Sequence, residues 1–338
     1  QGALSSIKFG RPVPTYESRD GGATWDRVQI TIGEHTPWGG PEEVMLFTVS
    51  CIAWDPHDEN LIHHVDGFGA SQLHLNGNDV VVDQTARGIE ETVNFVHRSI
   101  PLPDRELIIT GCADLAGFVH DQGIDKPPTI VLRLDGMAPK LQSIHCVNYA
   151  PSNPKRVYLA GRDNDNRKTG NIAKYCYRSD DGGFTWSRLP ANPGSALGLA
   201  VSATNPDNLV IVGERCLVST NGGSSFSAAA GLGSLGSHNW MWCKTLVADP
   251  VDGNTFYAYQ AGGGGQILRS TNGGRSFSQV SSAVPKAELY YGGHKLVATP
   301  GIKGHLWMNF QKNGLYHSTD GGGSWTELPG FTNANGAG

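Results

Sequence analysis

Ser18-Arg-Asp-Gly-Gly-Ala-Thr-Trp25 is the first of five copies of one pattern: a Ser, an Asp or Asn two places on, a Gly two further, and an aromatic ring in the eighth place. The others are Ser179-Asp-Asp-Gly-Gly-Phe-Thr-Trp186, Ser219-Thr-Asn-Gly-Gly-Ser-Ser-Phe226, Ser270-Thr-Asn-Gly-Gly-Arg-Ser-Phe277 and Ser318-Thr-Asp-Gly-Gly-Gly-Ser-Trp325. Recurrence at intervals of a few dozen residues marks one small unit that is stacked or arrayed radially. At the centre of each copy, Asp-Gly-Gly or Asn-Gly-Gly is a strong hairpin signal. Glycine reaches positive φ without strain, and Asp or Asn can bond the backbone of its own turn.

Each copy is thus a corner between two antiparallel strands, with the trailing ring placed to bury itself beneath. The pattern resembles the Asp-box of sialidases, sortilin-type receptors and several glycosidase families, a structural device on the outer edge of a propeller blade. Asp20, Asp181, Asn221, Asn272 and Asp320 are therefore read as structural.

The corners start at 18, 179, 219, 270 and 318, so the later gaps are 40, 51 and 48 residues and the first is 161. The long gap fits three ordinary units, two of them without the pattern. A second repeat supports this: Cys51-Ile-Ala-Trp-Asp-Pro56, Val147-Asn-Tyr-Ala-Pro151, Val201-Ser-Ala-Thr-Asn-Pro206 and Leu246-Val-Ala-Asp-Pro250 each open a unit with an apolar strand ending at a Pro turn. Together the signals predict an all-β chain, one seven-bladed β-propeller over 1–338 with units starting near 1, 46, 92, 142, 195, 241 and 291. Each is about 48 residues, the size of a four-stranded blade. The first unit has only 17 residues before its corner, so it is expected to lack a strand.

Gly is abundant at 45 residues and charged residues are only 17%, the profile of a turn-rich all-β protein. The net charge of −5 without basic blocks argues against nucleic acid, which requires clustered Lys and Arg. No apolar run reaches membrane-spanning length. The six Cys (51, 112, 146, 176, 216, 243) lack metal-type spacing and read equally as buried small residues or as one or two disulfides.

The third unit carries the chemistry. Leu107 to Thr110 forms a strand that delivers Asp114 into a turn with Ala116, Gly117 and Phe118. A carboxylate at the end of an apolar strand, followed by small residues, leaves room for a sugar ring. Leu115, Phe118 and Cys112 are candidate apolar walls, Asp121 a like charge, and His120 a hydrogen-bonding neighbour. Burial and a neighbouring carboxylate both raise a carboxyl pKa, as a general acid requires. Glu90 and Glu91 are adjacent, so on a strand at most one faces a cleft.

Gly88-Ile-Glu-Glu-Thr92, a short apolar link and Asp114-Leu-Ala-Gly-Phe-Val-His-Asp121 resemble the signature of glycoside hydrolase family 74. The similarity extends back to Cys51–Asn60 and forward through the corners. The resemblance implies two propellers facing across a cleft and inverting hydrolysis of the β-1,4-glucan backbone of xyloglucan by one Asp from each. By it Asp114 is the general acid, with Gly117, Phe118 and His120 beside the substrate, and this chain is the second propeller. The general base belongs to a Thr-Asp-x-Gly-Gly-Ala-Tyr segment with no counterpart here, so an N-terminal propeller partner is expected to supply it. The resemblance also implies a secreted enzyme without metal or other cofactor.

Sugar faces stack on flat rings, and Trp38, Trp240, Trp242, Tyr290 and Tyr291 are the candidate platforms outside the corners. A non-catalytic glycan- or protein-binding propeller is the alternative, because only one of two carboxylates is present. An exo-sialidase requires an Arg cluster and a Tyr nucleophile, and no early Arg-Ile-Pro segment occurs.

Overall fold

The computed structural model describes residues 3–4, 15–33, 51–66, 69–77, 79–83, 94–112, 116–123, 126, 128, 130–132, 141–163, 174–190, 196–213, 215–233, 245–261, 265–281, 283–284, 294–310 and 313–331. These residues contain strands and turns and no α-helix, and no helix is long and apolar enough to cross a membrane. The strands group into seven small sheets. The chain divides into two compact units, A (1–93 and 122–131) and B (94–121 and 132–338).

Unit A holds a three-stranded antiparallel sheet, Ala3–Leu4, Thr15–Glu17 and Asp26–Arg27, and a five-stranded sheet. In the latter, Cys51–Trp54, Leu61–Asp66, Gly69–Asn76 and Asp79–Asp83 form a meander, and Gln29–Ile32 pairs in parallel with the last. Alternate residues Ile62, Leu73, Val80 and Val82 pack with Val28 into one core. The other face is polar, with His63 2.8 Å from Asp55 and His74 3.3 Å from Asp83.

Unit B holds the strands of five sheets. The first comprises Asn94–Pro101, Glu106–Cys112 and Gly117–His120. The other four are four-stranded antiparallel meanders whose first strands are Leu141–Ala150, Ala196–Val201, Leu246–Ala248 and Lys295–Ala298. These first strands pack side by side in chain order and line one cavity of about 570 Å³. Arg98 donates to Val147 O and Asn148 Oδ1, and Asn148 Nδ2 to Leu199 O, joining three of them.

The second strands explain the uninterrupted apolar runs of the sequence. In Leu209–Gly213 every residue is buried. Leu209 and Ile211 pack on the preceding sheet, Val210 and Val212 on the following one. Phe256 and Ala258 face backward and Tyr257 and Tyr259 forward in the same way. Side chains alternate with period two, so a sheet between two neighbours needs apolar residues at odd and even places alike. Cys112, Cys146, Cys176 and Cys216 are buried free thiols and Cys51 an exposed one, so none of these five is in a disulfide.

The five corners share one bonding scheme. The leading Ser Oγ donates to Oδ1 of the Asp or Asn at 2.7–3.0 Å and accepts the N–H of the second Gly at 2.7–2.9 Å. The same Oδ1 accepts the backbone N–H four residues on, at 2.8–3.0 Å. The outer atom bonds the hydroxyl of that residue: Thr24, Thr185 and Ser324 donate to an Asp oxygen, whereas Asn221 and Asn272 donate to Ser225 and Ser276. Both glycines of each corner lie at φ between 68° and 111°. The hydroxyl of Thr24, then its N–H, holds Asp20 down at about 2. At Asp320 burial opposes, but the bonds from Ser324 and Ser318 prevail and its value is also about 2. Each carboxylate is thus ionised and saturated within its own turn.

A meander brings its first-to-second and third-to-fourth connections to one end of the sheet. In unit B that corner end is laced from sheet to sheet: Ser202 Oγ donates to Gly253 O, Asn208 Nδ2 to Gly273 O, Gly304 N to Asp249 Oδ2, and Arg156 pairs with both Asp180 and Asp207. The second-to-third connections and the links to the next sheet leave from the far end.

Two outcomes follow. Ser270→Ala removes three hydrogen bonds of a buried corner and lowers stability by about 1–3 kcal/mol. Gly274→Ala lowers it more, since a Cβ at φ +83° would lie 2.1 Å from Val210 Cγ2; urea midpoints check both. Separately, burial holds His64 and His294 down at about 4, and neither ring has a hydrogen-bond partner among the described residues. The unfolded imidazole protonates near 6.5, so as pH falls the unfolded chain takes up protons first. Stability is therefore flat above about 6.5 and declines from there toward 4. Unfolding midpoints between pH 7 and 5 test this, and His294→Phe is expected to flatten the slope.

Candidate functional site

In the strand Glu106–Cys112, Leu107 and Ile109 are fully buried, and its last four residues are buried without alternation. It pairs with Gly117–His120 so that Gly111 faces Gly117, Thr110 faces Phe118 and Ile108 faces His120. The hairpin between them is closed by Cys112 N donating to Ala116 O at 2.8 Å. Asp114 lies in the intervening 113–115, outside the described residues, as do Leu115, Glu90, Glu91, Trp38, Trp240, Trp242, Tyr290 and Tyr291. The strand ends that flank them are informative. In unit B the described strand ends on either side of 113–115, 234–244 and 285–293 lie at the far end, opposite the saturated corners.

The stem of this hairpin is irregular. On the partner strand Gly111 faces Val96 but Cys112 faces Asn94, so Phe95 is an extra residue and the pairing bulges. Bulges bend a strand and re-aim its side chains. Cys112, fully buried, donates its thiol proton to Asn94 Oδ1 at 3.1 Å. Ala116 has φ +60°, the one non-glycine positive φ among the described residues. A residue with a Cβ there costs roughly 1–2 kcal/mol. Ala116 bridges Ser143 on the next sheet, and the buried Ser143 hydroxyl has no hydrogen-bond partner among the described residues. At Gly111 a Cβ would sit 2.5 Å from Ile144 O, and at Gly117 2.1 Å from Thr110 O. The base of the hairpin is therefore wedged on every side.

Three of the expected site residues lie among the described residues. Phe118 is fully buried. Gly117 leaves no room for a side chain, since a Cβ there would meet Thr110 O. His120 is half-buried opposite Ile108. At roughly 3.3 Å per residue, the run from Gly117 to His120 carries it about 10 Å from the turn. Asp121 lies one residue further. What sequence reasoning missed is the bulge at Phe95, the Cys112–Asn94 pair and the left-handed Ala116. All three depend on cross-strand register, which no local spacing announces. The cavity of unit B includes Phe95 to Arg98 in its wall but none of the hairpin residues 112, 116 or 117.

No protein-family profile matches the chain. Individual relatives do. It is 28% identical over 358 aligned positions to a xyloglucanase of Paenibacillus sp, covering 96% of this chain and 33% of that protein. It is 26% identical to the xyloglucanase Xgh74A of Acetivibrio thermocellus, covering 89% of this chain and 36% of that one. The fold matches the family 74 glycoside hydrolase of Niastella koreensis with a TM-score of 0.66 at 24% identity, over 94% of this chain and 42% of that structure. The resemblance to family 74 thus holds along nearly the whole chain, which spans about a third of the length of the curated relatives quoted.

If Phe118 is packing, Phe118→Ala lowers unfolding stability by about 3–5 kcal/mol. A xyloglucan-contacting ring would instead leave the denaturation curve in place and weaken only oligosaccharide binding; parallel denaturation and calorimetric titration separate the two.

Proposed function

We propose that this chain, a relative of family 74 enzymes, is one half of a two-propeller glycoside hydrolase that cuts the β-1,4-glucan backbone of xyloglucan, with Asp114 as its general acid. The single observation that carries the assignment is that the one strained non-glycine residue described, Ala116, closes the hairpin holding Asp114. Strain of this kind clusters at functional sites. In this reading the chain is a seven-bladed β-propeller, and Trp38, Trp240, Trp242, Tyr290 and Tyr291 are its sugar platforms.

Asp114, protonated at working pH, gives its proton to the glycosidic oxygen as the C–O bond breaks. A carboxylate from the partner propeller takes a proton from the water that attacks the anomeric carbon on the opposite face, inverting it. That geometry sets the two carboxyls roughly 6.5–9.5 Å apart. The base comes from outside these 338 residues, in keeping with relatives about three times as long. A polymeric wall glucan is met outside the cell, so the enzyme is secreted. The second reading, a glycan-binding propeller without catalysis, draws on the presence of only one of the two carboxylates.

The test is hydrolysis of soluble xyloglucan by the complete native protein, with product anomers followed by NMR. Asp114→Asn is expected to lower kcat by about 10²–10⁴ while oligosaccharide binding persists. Undiminished turnover in that variant removes Asp114 from the role. Binding by the wild type with no hydrolysis makes it a binding module.

A further inference from the structure

We propose that the cavity of unit B binds a compact organic anion carrying two or more carboxylate or phosphate groups, with Arg98 and Lys295 as its anchors. This is independent of the Asp114 assignment. The cavity measures about 570 Å³ and is walled by the first strands of all five sheets of the unit. Small-molecule sites span roughly 300–1,000 Å³.

The charges of the wall decide the class of ligand. Its titratable residues are His97, Arg98, Cys146, Tyr149, Asp249 and Lys295. Cys146 is a buried thiol that donates to Leu199 O at 3.4 Å. Burial raises the Tyr149 phenol above its ordinary value against the opposing charge of Arg98, so it stays neutral. Asp249 is the one acid, and it is fully buried. Its two oxygens accept from Val251 N, Asp252 N, Tyr257 Oη and Gly304 N at 2.8–2.9 Å. A carboxylate offers about four acceptor sites, so Asp249 has none left for a ligand. The available charges are therefore cationic, in a chain whose net charge is −5. Such a local reversal of sign attracts anions.

Arg98 is held ready for one. Its Nε–H donates to Val147 O and one N–H of Nη2 to Asn148 Oδ1. A guanidinium has five N–H groups, so three remain, on a fork that is already fixed in place. Lys295 is exposed on the last of the five first strands, and Arg98 is half-buried on the first. Neither pairs with a carboxylate among the described residues, whereas Arg156, Arg178 and Lys303 at the corner end each pair with an Asp. An Arg fork matches carboxylate and phosphate alike, and a Lys ammonium serves either as a point charge. Two anchors on separate strands call for two anionic groups on one body. Val247 and Val297 in the same wall offer that body a carbon surface.

Calorimetric titration of the complete protein tests this, with citrate and fructose 1,6-bisphosphate as probes at fixed ionic strength and glucose as the uncharged control. One anion per chain is expected to bind, and the tighter of the two probes tells a carboxylate site from a phosphate site. Lys295→Gln should weaken binding about tenfold to a hundredfold and leave the thermal midpoint of the free protein unchanged. Lys295→Arg, which keeps the charge, should retain most of the affinity. Arg98→Lys keeps the charge but loses the fork, and should weaken binding by a similar factor. Mass spectrometry after brief acetylation should find Lys295 protected by saturating citrate. No saturable heat from either probe up to about 10 mM, or equal heat from glucose, would overturn the proposal. So would wild-type affinity in both Lys295→Gln and Arg98→Lys, or citrate that shields other lysines while Lys295 is still modified.

Discussion

Burial of each second strand on both faces is the constraint on which unit B depends. A strand such as Leu209–Gly213 has no face left for water, so its odd residues form the core with one neighbour and its even residues the core with the next. No sheet can be stable alone under that arrangement, because each would expose one apolar face. The sheets must be assembled in series, and the hydrophobic term that drives the assembly is shared between neighbours.

The polar groups follow from this. With sheet faces committed to the core, hydrogen-bonding side chains concentrate at sheet ends. At the corner end they are saturated: each Ser, Asp and Asn of the corners bonds its own turn, and Arg156, Ser202, Asn208 and Asp249 stitch neighbouring sheets together. That end is rigid and chemically spent. The far end differs in kind, since its described stems carry the bulge at Phe95, the left-handed Ala116 and the orphan hydroxyl of Ser143. A scaffold locked at one end can tolerate local strain at the other.

The corners were legible in the sequence because their chemistry is local: eight residues contain every donor and acceptor that the turn uses. The apolar runs were legible for a related reason, as two-sided burial imposes them directly. The surroundings of Phe118 and His120 were not legible, because spacing along the chain does not give position across a sheet. Antiparallel register decides which way each points and how far it travels. Register also created the bulge and the Cys112–Asn94 contact, between residues 18 positions apart. Ala116 gave no sign at all, since alanine is an ordinary residue until its dihedral angle is known.

The two versions of the corner have an electrical consequence. Asp320 receives a hydrogen from Ser324, whereas Asn272 gives one to Ser276, and the two turns keep the same shape and the same number of bonds. Geometry at this position is therefore independent of formal charge. An anionic or a neutral edge can be dialled in sheet by sheet, so the isoelectric character of that edge is free to drift without any rearrangement of the architecture beneath it.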